Sequence, residues 1–498
     1  MNWTKSISLS AAALMMASPA FANNKVSDGQ ITFTKDILPI LQENCQDCHR
    51  PNGANLGGMV APMSFTTYED ARPWAKSIAK EVAARNMPPW DATPEFHGVF
   101  RNERVLSEDQ IETIVAWAQN GAKRGNPADA PAAREFSSSD GWQIGEPDLI
   151  LSMPEKYFVK DDVEDIYVDF YAVVTEEMLP EPRYIKAIEF KPGSPVVHHI
   201  ISDPLGGIAP GNGATFYPEG YGKILKPGAR VSFEMHYHKE AGPGTGVWDQ
   251  SQAAVKFYPV GYTPEHEVRM AMLGNFDFEI PAGDPNYTVT AEEAFNRDTQ
   301  ILSYTPHMHL RGKSALYKAF LPDGKEEVLL DVPAYDFNWQ TTYWYDELKV
   351  LPAGSKMEVA LTWDNSAENP SNPDPTKNVT WGEPTTSEMM FGFVQYAFVE
   401  EPEGLSIELM ERYTGQYAVG PMKFNVGGWN GQLSVYFQNR EFSLAYESKH
   451  KFAIAGVGVE FTFVPDEDGN VSTLMVKMGG ETHEAKRVEQ TNSEDSTD

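Results

Sequence analysis

Cysteine is almost absent from this chain: 498 residues contain two, Cys45 and Cys48. A fold stapled by several disulfides is therefore excluded. Positive charge is also scarce. Lys and Arg number 40 against 71 Asp and Glu, for a formal net charge of −31. Such a polyanion is a poor partner for nucleic acid or anionic lipid. Long apolar runs are missing too. The run from Ile7 to Ala17 is too short to span a bilayer, and no later stretch is long and apolar enough, so no membrane span is expected.

That run follows a short basic start, Met1 to Lys5, and precedes Ala20-Phe21-Ala22, a small-x-small cleavage pattern. Residues 1–22 read as a signal peptide, which predicts an exported, periplasmic chain beginning at Asn23.

What is present begins with Cys45-Gln46-Asp47-Cys48-His49. Cys-x-x-Cys-His is the attachment sequence for c-type haem. Both thiols bond to the porphyrin, and His49 becomes an axial iron ligand. The motif uses both cysteines and agrees with export, since haem c is attached outside the bacterial cytoplasm. Asn86-Met87-Pro88-Pro89-Trp90 offers Met87, in a proline-held loop, as the second axial ligand. A thioether there favours reduced iron. Met59 and Met63 are rivals.

The surrounding pattern fits a small α-helical cytochrome c domain over 30–127. Phe33, Ile37, Ile40 and Leu41 are spaced as on a helix entering the motif. Ser107-Glu108-Asp109-Gln110 is a capping box that opens a helix with Ile111, Ile114, Val115 and Trp117 as its apolar positions. Gly121 stands where a helix should end. Residues 128–147, rich in Pro, Ala and Ser, read as a linker. Short β-type runs then alternate with Gly and Pro. They predict two mainly-β, sandwich-type domains at 148–290 and 291–400, a small β module at 405–487, and a disordered tail at 488–498.

Six of the 11 histidines fall in three clusters: His198-His199, His236-x-His238 and His307-Met308-His309. Residues i and i+2 of a strand share a face, so His307 and His309 can grip one ion. His236 and His238 can do the same. Adjacent His198 and His199 point to opposite faces of a regular strand, so sharing a metal requires a bulge there. Imidazole suits several metals, whereas thioether selects copper. Copper beside a haem carrier points to redox work.

The region from about 149 to 400 resembles the type II copper, ascorbate-dependent monooxygenases, the group of the peptidylglycine α-hydroxylating and dopamine β-monooxygenases. The residues that carry the resemblance are Val196-Val197-His198-His199-Ile200, Phe233-Glu234-Met235-His236-Tyr237, Thr305-Pro306-His307-Met308-His309-Leu310-Arg311-Gly312-Lys313 and Ser387-Glu388-Met389-Met390. The resemblance implies jelly-roll-like copper domains facing each other across a solvent-filled cleft. It implies an electron-transfer copper on His198, His199 and His236, and an oxygen-binding copper on His307, His309 and Met389. His238 then stays outside the ligand set. The implied activity is hydroxylation of a C–H bond of a small organic substrate by O2. Electrons would come from an external donor, ascorbate-like or a redox protein, through the haem. Thr305, Phe391 and Phe393 replace the group that holds a peptide carboxylate in the amidating enzyme, which argues against a peptide C-terminus as substrate. The alternative is a haem–copper electron carrier, or a copper-binding protein, without monooxygenase activity. The segment Asp336 to Gln340 is assigned turn and core roles only.

Overall fold

The computed structural model describes residues 30–51, 53, 61–136, 141–401, 405, 407–429, 432–437, 440–448, 450–454 and 458–488. The expected leader, Met59, part of the 128–147 segment and the tail from 489 lie outside them. The chain is mostly β, with a small helical part at its N-terminal side.

In the helical part, Phe33–Ile37 and Leu38–Asn44 lead into the Cys45–His49 motif, and Ala75–Ala83 packs with Glu108–Gln119. The capping box is in place: Ser107 Oγ accepts from Gln110 N at 3.2 Å, and Gln110 Oε1 accepts from Ser107 N at 2.9 Å. Phe33, Ile37, Leu41, Ile114 and Trp117 meet in one core. Gly121 follows with φ +87°, the left-handed turn that favours glycine.

Two sheet pairs follow. In the first, Leu149–Ser152, Gln252–Phe257, Arg183–Lys191 and Tyr221–Leu225 form one sheet, and Asp165–Val173, Arg230–His238, Val197–Ser202 and Gly206–Ile208 form the other. Ile185, Phe190, Phe233 and Met235 fill the shared core. In the second, Arg269–Gly274, Phe391–Phe398, Thr299–His307 and Tyr343–Leu351 face Tyr287–Phe295, Ser355–Trp363, Gly312–Phe320 and Glu326–Val332. Ser355–Trp363 alternates buried and half-buried residues throughout, the period of a strand with one face in a core. The strands Arg269–Gly274 and Tyr287–Phe295 both pair within this second unit. The division thus falls before Arg269 rather than at 290. The last unit is a closed eight-stranded barrel, Gly415–Val419 to Glu481–Arg487, with Tyr417, Leu433, Phe452 and Phe463 inside. No helix among the described residues is long and apolar enough to cross a membrane.

Residues 128–135 are exposed, and the described part of 128–147 is tied to the neighbouring units at a few points. Arg134 pairs with Asp47 at 2.7 Å and donates to Gln42 O. Further on, Gln143 N and Ile144 N both donate to Glu189 Oε2. The N-terminal unit also reaches into the second sheet pair. Trp90 and Phe100 are buried in that core, with ring centroids 5.0 and 5.5 Å from Tyr343. Beside them, burial and then the nearby Asp336 push the Asp91 carboxyl up to about 7, against the pull of Arg104. The folded chain therefore keeps a proton that the unfolded chain releases from about pH 4 upward. Stability falls as pH rises through that window, by up to about 4 kcal/mol. Asp91→Asn is expected to flatten this dependence and to raise the thermal midpoint at pH 8 but not at pH 4. An unchanged pH profile would remove Asp91 from the account.

Candidate metal centre

The strand Val197–Ser202 lies beside Arg230–His238, and its register slips between Val197 and His199. Val197 opposes Tyr237, while His199 opposes His236. His198 is thus the extra residue of a bulge, the irregularity that two adjacent metal-facing histidines need. As a result His198 Nδ1 lies 3.3 Å from His199 Nδ1, which lies 3.3 Å from His236 Nδ1. The three ligand atoms lie within 4.8 Å of one another and can hold a metal ion.

Asp165 sets the tautomer of this group. His236 Nε2–H donates to Asp165 Oδ1 at 2.5 Å, which leaves the Nδ1 lone pair facing its two neighbours. Burial works against the Asp165 carboxylate. Hydrogen bonds from His236 and Thr385 nevertheless hold it below the usual carboxylate range. Tyr167 lies flat on the His236 ring at 4.2 Å. His238 is exposed, with ring centroids 6.2 and 6.4 Å from His198 and His236. It stands beside the group rather than within it.

His307 ends the strand Thr299–His307, and His309 follows two residues later, with ring centroids 5.3 Å apart. His307 Nδ1–H donates to Gln340 Oε1 at 2.7 Å, and His309 Nδ1–H donates to Ser387 O at 3.1 Å. Both Nε2 atoms are buried without a hydrogen-bond partner among the described residues. Burial pushes His307 down to about 4. Burial, then the neighbouring His307, pushes His309 to about 3. Both rings are neutral at neutral pH and present orphaned lone pairs, which a metal ion satisfies.

The turn between them is rigidly held. Tyr335 OH accepts from Met308 N at 3.2 Å and donates to Met308 O at 2.7 Å. Gly312 makes room for this, since a Cβ there would lie 2.6 Å from the Tyr335 ring. Glu388, fully buried, accepts from His309 N at 2.8 Å, Arg311 N at 2.8 Å and Trp363 Nε1 at 2.9 Å. Of the two adjacent methionines, Met390 is buried in the core, while Met389 is half-buried. Among the described contacts, none joins the Met389 sulfur to His307 or His309.

At the cysteine motif, His49 Nδ1 bonds to Met63 O at 3.2 Å, and its ring stacks on Phe65 at 4.3 Å. The Nδ1–H then belongs to this bond and the Nε2 lone pair is left available. Burial, then the nearby Cys48, pushes Cys45 up to about 12; burial also raises Cys48. Both therefore stay thiols, the state in which they would meet a porphyrin vinyl group. Met87 is half-buried, and no described contact joins it to His49.

The two imidazole sets abut. His199 and His307 have ring centroids 5.7 Å apart, and Phe337 stacks on His198 at 4.4 Å while lying 6.0 Å from His309. No open cleft of the kind the resemblance implies separates His199 from His307. Side-chain ties across the two sheet pairs account for this. Asp165 Oδ2 accepts from Thr385 N at 3.0 Å and from its hydroxyl. Asn212 Nδ2 donates to Gln340 O at 2.7 Å, and Asn212 Oδ1 accepts from Thr342 N at 2.8 Å. A cavity of about 500 Å³ opens beside the histidines, its wall including Asp47, Cys48, His199, His307, Gln340 and Phe393. The side chain of Phe391 packs instead against His307, nearly parallel at 6.3 Å.

Sequence reasoning missed Asp165, Thr385, Phe337 and Gln340. The assignment of 336–340 to turn and core alone needs correction, because two of its residues touch the metal-facing rings. No spacing signal marks any of the four.

Comparison with protein-family models and with curated proteins found no match. Among solved structures, the infectious bursal disease virus VP2 subviral particle aligns over 52% of this chain and 82% of its own, at 10% identity and a TM-score of 0.15. PBCV-1 VP54, fitted into a reconstruction of the virophage Sputnik, aligns over 60% of this chain and 97% of its own, at 8% identity and a TM-score of 0.17. Likenesses this slight carry no argument.

Proposed function

We propose that this chain is a periplasmic copper-dependent monooxygenase that resembles the type II, ascorbate-dependent group and carries a c-type haem domain ahead of its copper domains. Its overall reaction would be R–H + O2 + 2 e⁻ + 2 H⁺ → R–OH + H2O, with both electrons from an external reductant. One observation supports this reading above the others. Two sets of neutral imidazoles, His198/His199/His236 and His307/His309, meet at one cavity whose wall also holds Cys48.

The donor sets fit the metals. Three Nδ1 atoms converge in one set. In the other stand the two orphaned Nε2 atoms of His307 and His309, to which the resemblance adds Met389, a nitrogen and thioether combination that favours copper. Copper held there would supply dioxygen binding and one-electron chemistry. The chain's own residues do the rest. Asp165, Gln340 and Ser387 fix which nitrogen of each ring carries the proton. Phe337 and Phe391 pack on the rings and keep water from their faces. Cys45, Cys48 and His49 would hold the haem close to the same cavity, with Met87 the proposed second axial ligand.

The rival reading keeps the metals and drops the chemistry, as a haem–copper electron carrier or a copper-binding protein. The close approach of the two sets, with His199 and His307 ring centroids 5.7 Å apart, favours it. Metal content and reoxidation separate the two. The monooxygenase reading expects two coppers per haem, with His236→Ala and Met389→Ala each losing about one. It also expects reduced haem to be reoxidised by oxygen quickly only when copper is bound. One copper or none in the parent, or equal reoxidation with and without copper, would sink it.

A further inference from the structure

The cavity beside the histidines has a volume of about 500 Å³, within the range of small-molecule sites. Much of its wall is apolar, including Phe190, Met270, Trp344 and Phe393. Two cationic side chains also line it, Arg104 and Lys223. Arg104 is already engaged, donating to Gly211 O at 2.8 Å. The one wall carboxylate near the cysteine motif, Asp47, is paired with Arg134.

Lys223 differs from these. It sits on the strand Tyr221–Leu225, deep within the first sheet pair but half-buried rather than sealed. No hydrogen bond or ion pair closes on its ammonium group among the described residues. Burial lowers its pKa, while Asp203 and Glu267 act from nearby to keep it charged. A desolvated ammonium with no direct partner is costly. In a chain of net charge −31, a cavity wall that holds two cationic side chains and one carboxylate, itself paired with Arg134, is distinctive to an anion.

We propose that the cavity binds a small organic anion, its carboxylate paired with Lys223 and its apolar body lying against Phe190, Met270, Trp344 and Phe393. The claim that this anion is the substrate rests on the monooxygenase reading; the claim that it binds does not. The wall also accounts for Phe393 and Thr305, which line the cavity beside His307 and supply no charge, whereas Lys223 stands on a different strand of the same wall.

Three ligands with one body and different heads test this: 3-phenylpropionate, 3-phenylpropanol and 3-phenylpropylamine. They are titrated by calorimetry into the haem- and copper-loaded protein under nitrogen, where no turnover occurs. The carboxylate is expected to bind at least about tenfold tighter than the alcohol, the worth of one charge-assisted hydrogen bond, and the amine weakest. Lys223→Met should abolish the preference and leave alcohol binding unchanged, which also reports an intact cavity. Lys223→Arg should retain the preference. Equal binding of acid and alcohol, no binding of the acid, or a preference that survives Lys223→Met overturns the proposal. Admitting oxygen and reductant then tests the other claim. A carboxylate that binds through Lys223 yet is never hydroxylated overturns the substrate claim and leaves the anion site standing, while copper content and haem reoxidation judge the monooxygenase reading separately.

Discussion

Truncating Glu388 to alanine is expected to cost about 3–5 kcal/mol of stability and to abolish the metal binding proposed for His307 and His309. Glu388 and Arg311 are both buried, at 0% and 2% side-chain exposure, and their charged atoms lie 3.9 Å apart. Burial pushes the Glu388 carboxyl up to about 7, while the donors of Arg311 and His309, the Arg311 charge and Trp363 pull it back. Without it, the backbone N–H groups of His309 and Arg311 and the Trp363 indole lose their acceptor. Among the described residues Arg311 keeps Asn365 Oδ1 at 3.0 Å and Thr386 O at 2.9 Å. The backbone that carries His309 is then unanchored just where its ring must face His307. Glu388→Gln keeps the shape and one acceptor, and should cost roughly 1–3 kcal/mol. Urea unfolding alongside metal content decides the matter. An alanine variant within about 1 kcal/mol of the parent, still holding its full metal complement, would refute this account of the turn.

Asp165→Asn is expected to weaken metal binding at His198, His199 and His236 by about 10- to 100-fold with little change in fold. The carboxylate accepts on both oxygens, from His236 on one side and Thr385 on the other. An amide has one acceptor and one donor, so it can satisfy one side and must confront the other with N–H against N–H. If it serves Thr385, His236 loses the partner that keeps its proton on Nε2. If it serves His236, the loop leading to Ser387 and Glu388 is released from the first sheet pair. The two cases are distinguishable by competitive chelator titration of each site. In the first, only the three-histidine site weakens; in the second, the His307/His309 site weakens with it. Unchanged affinity at both sites would leave Asp165 a bystander.

How much of this was legible in the sequence depended on the range of the interaction. The helix Glu108–Gln119 is announced by its own capping box, and the bulge at His198 by two adjacent histidines that share one set of neighbours. Both are local, and both are present. The sheet assignment of Tyr287–Phe295 was not legible. Its strict alternation marks one buried face but does not say which sheet it joins, and its pairing with Ser355–Trp363 is chosen by a strand far along the chain. Asp165, Thr385, Phe337 and Gln340 were hidden for the same reason. Each is an ordinary residue locally and becomes significant only when tertiary packing brings it to a histidine ring. Met389 and Met390 are adjacent in sequence, and burial of Met390 in the core distinguishes the two.

The burial of Trp90 and Phe100 in the second sheet pair has a practical corollary. Phe100 also forms a β-bridge with Tyr345, and Arg101 N donates to Trp344 O at 2.9 Å. The N-terminal unit is therefore no detachable cassette. Cutting the gene at residue 127 would strip two large aromatics from the core of the remaining fragment and bare the rings of Tyr343 and Tyr345 to water, inviting aggregation. A chimera that exchanges the segment carrying Cys45 to His49 would need to retain residues 90–105 with the β units. The junction for modular engineering lies inside the helical unit, ahead of Trp90, and not in the proline-rich stretch where composition alone would place it.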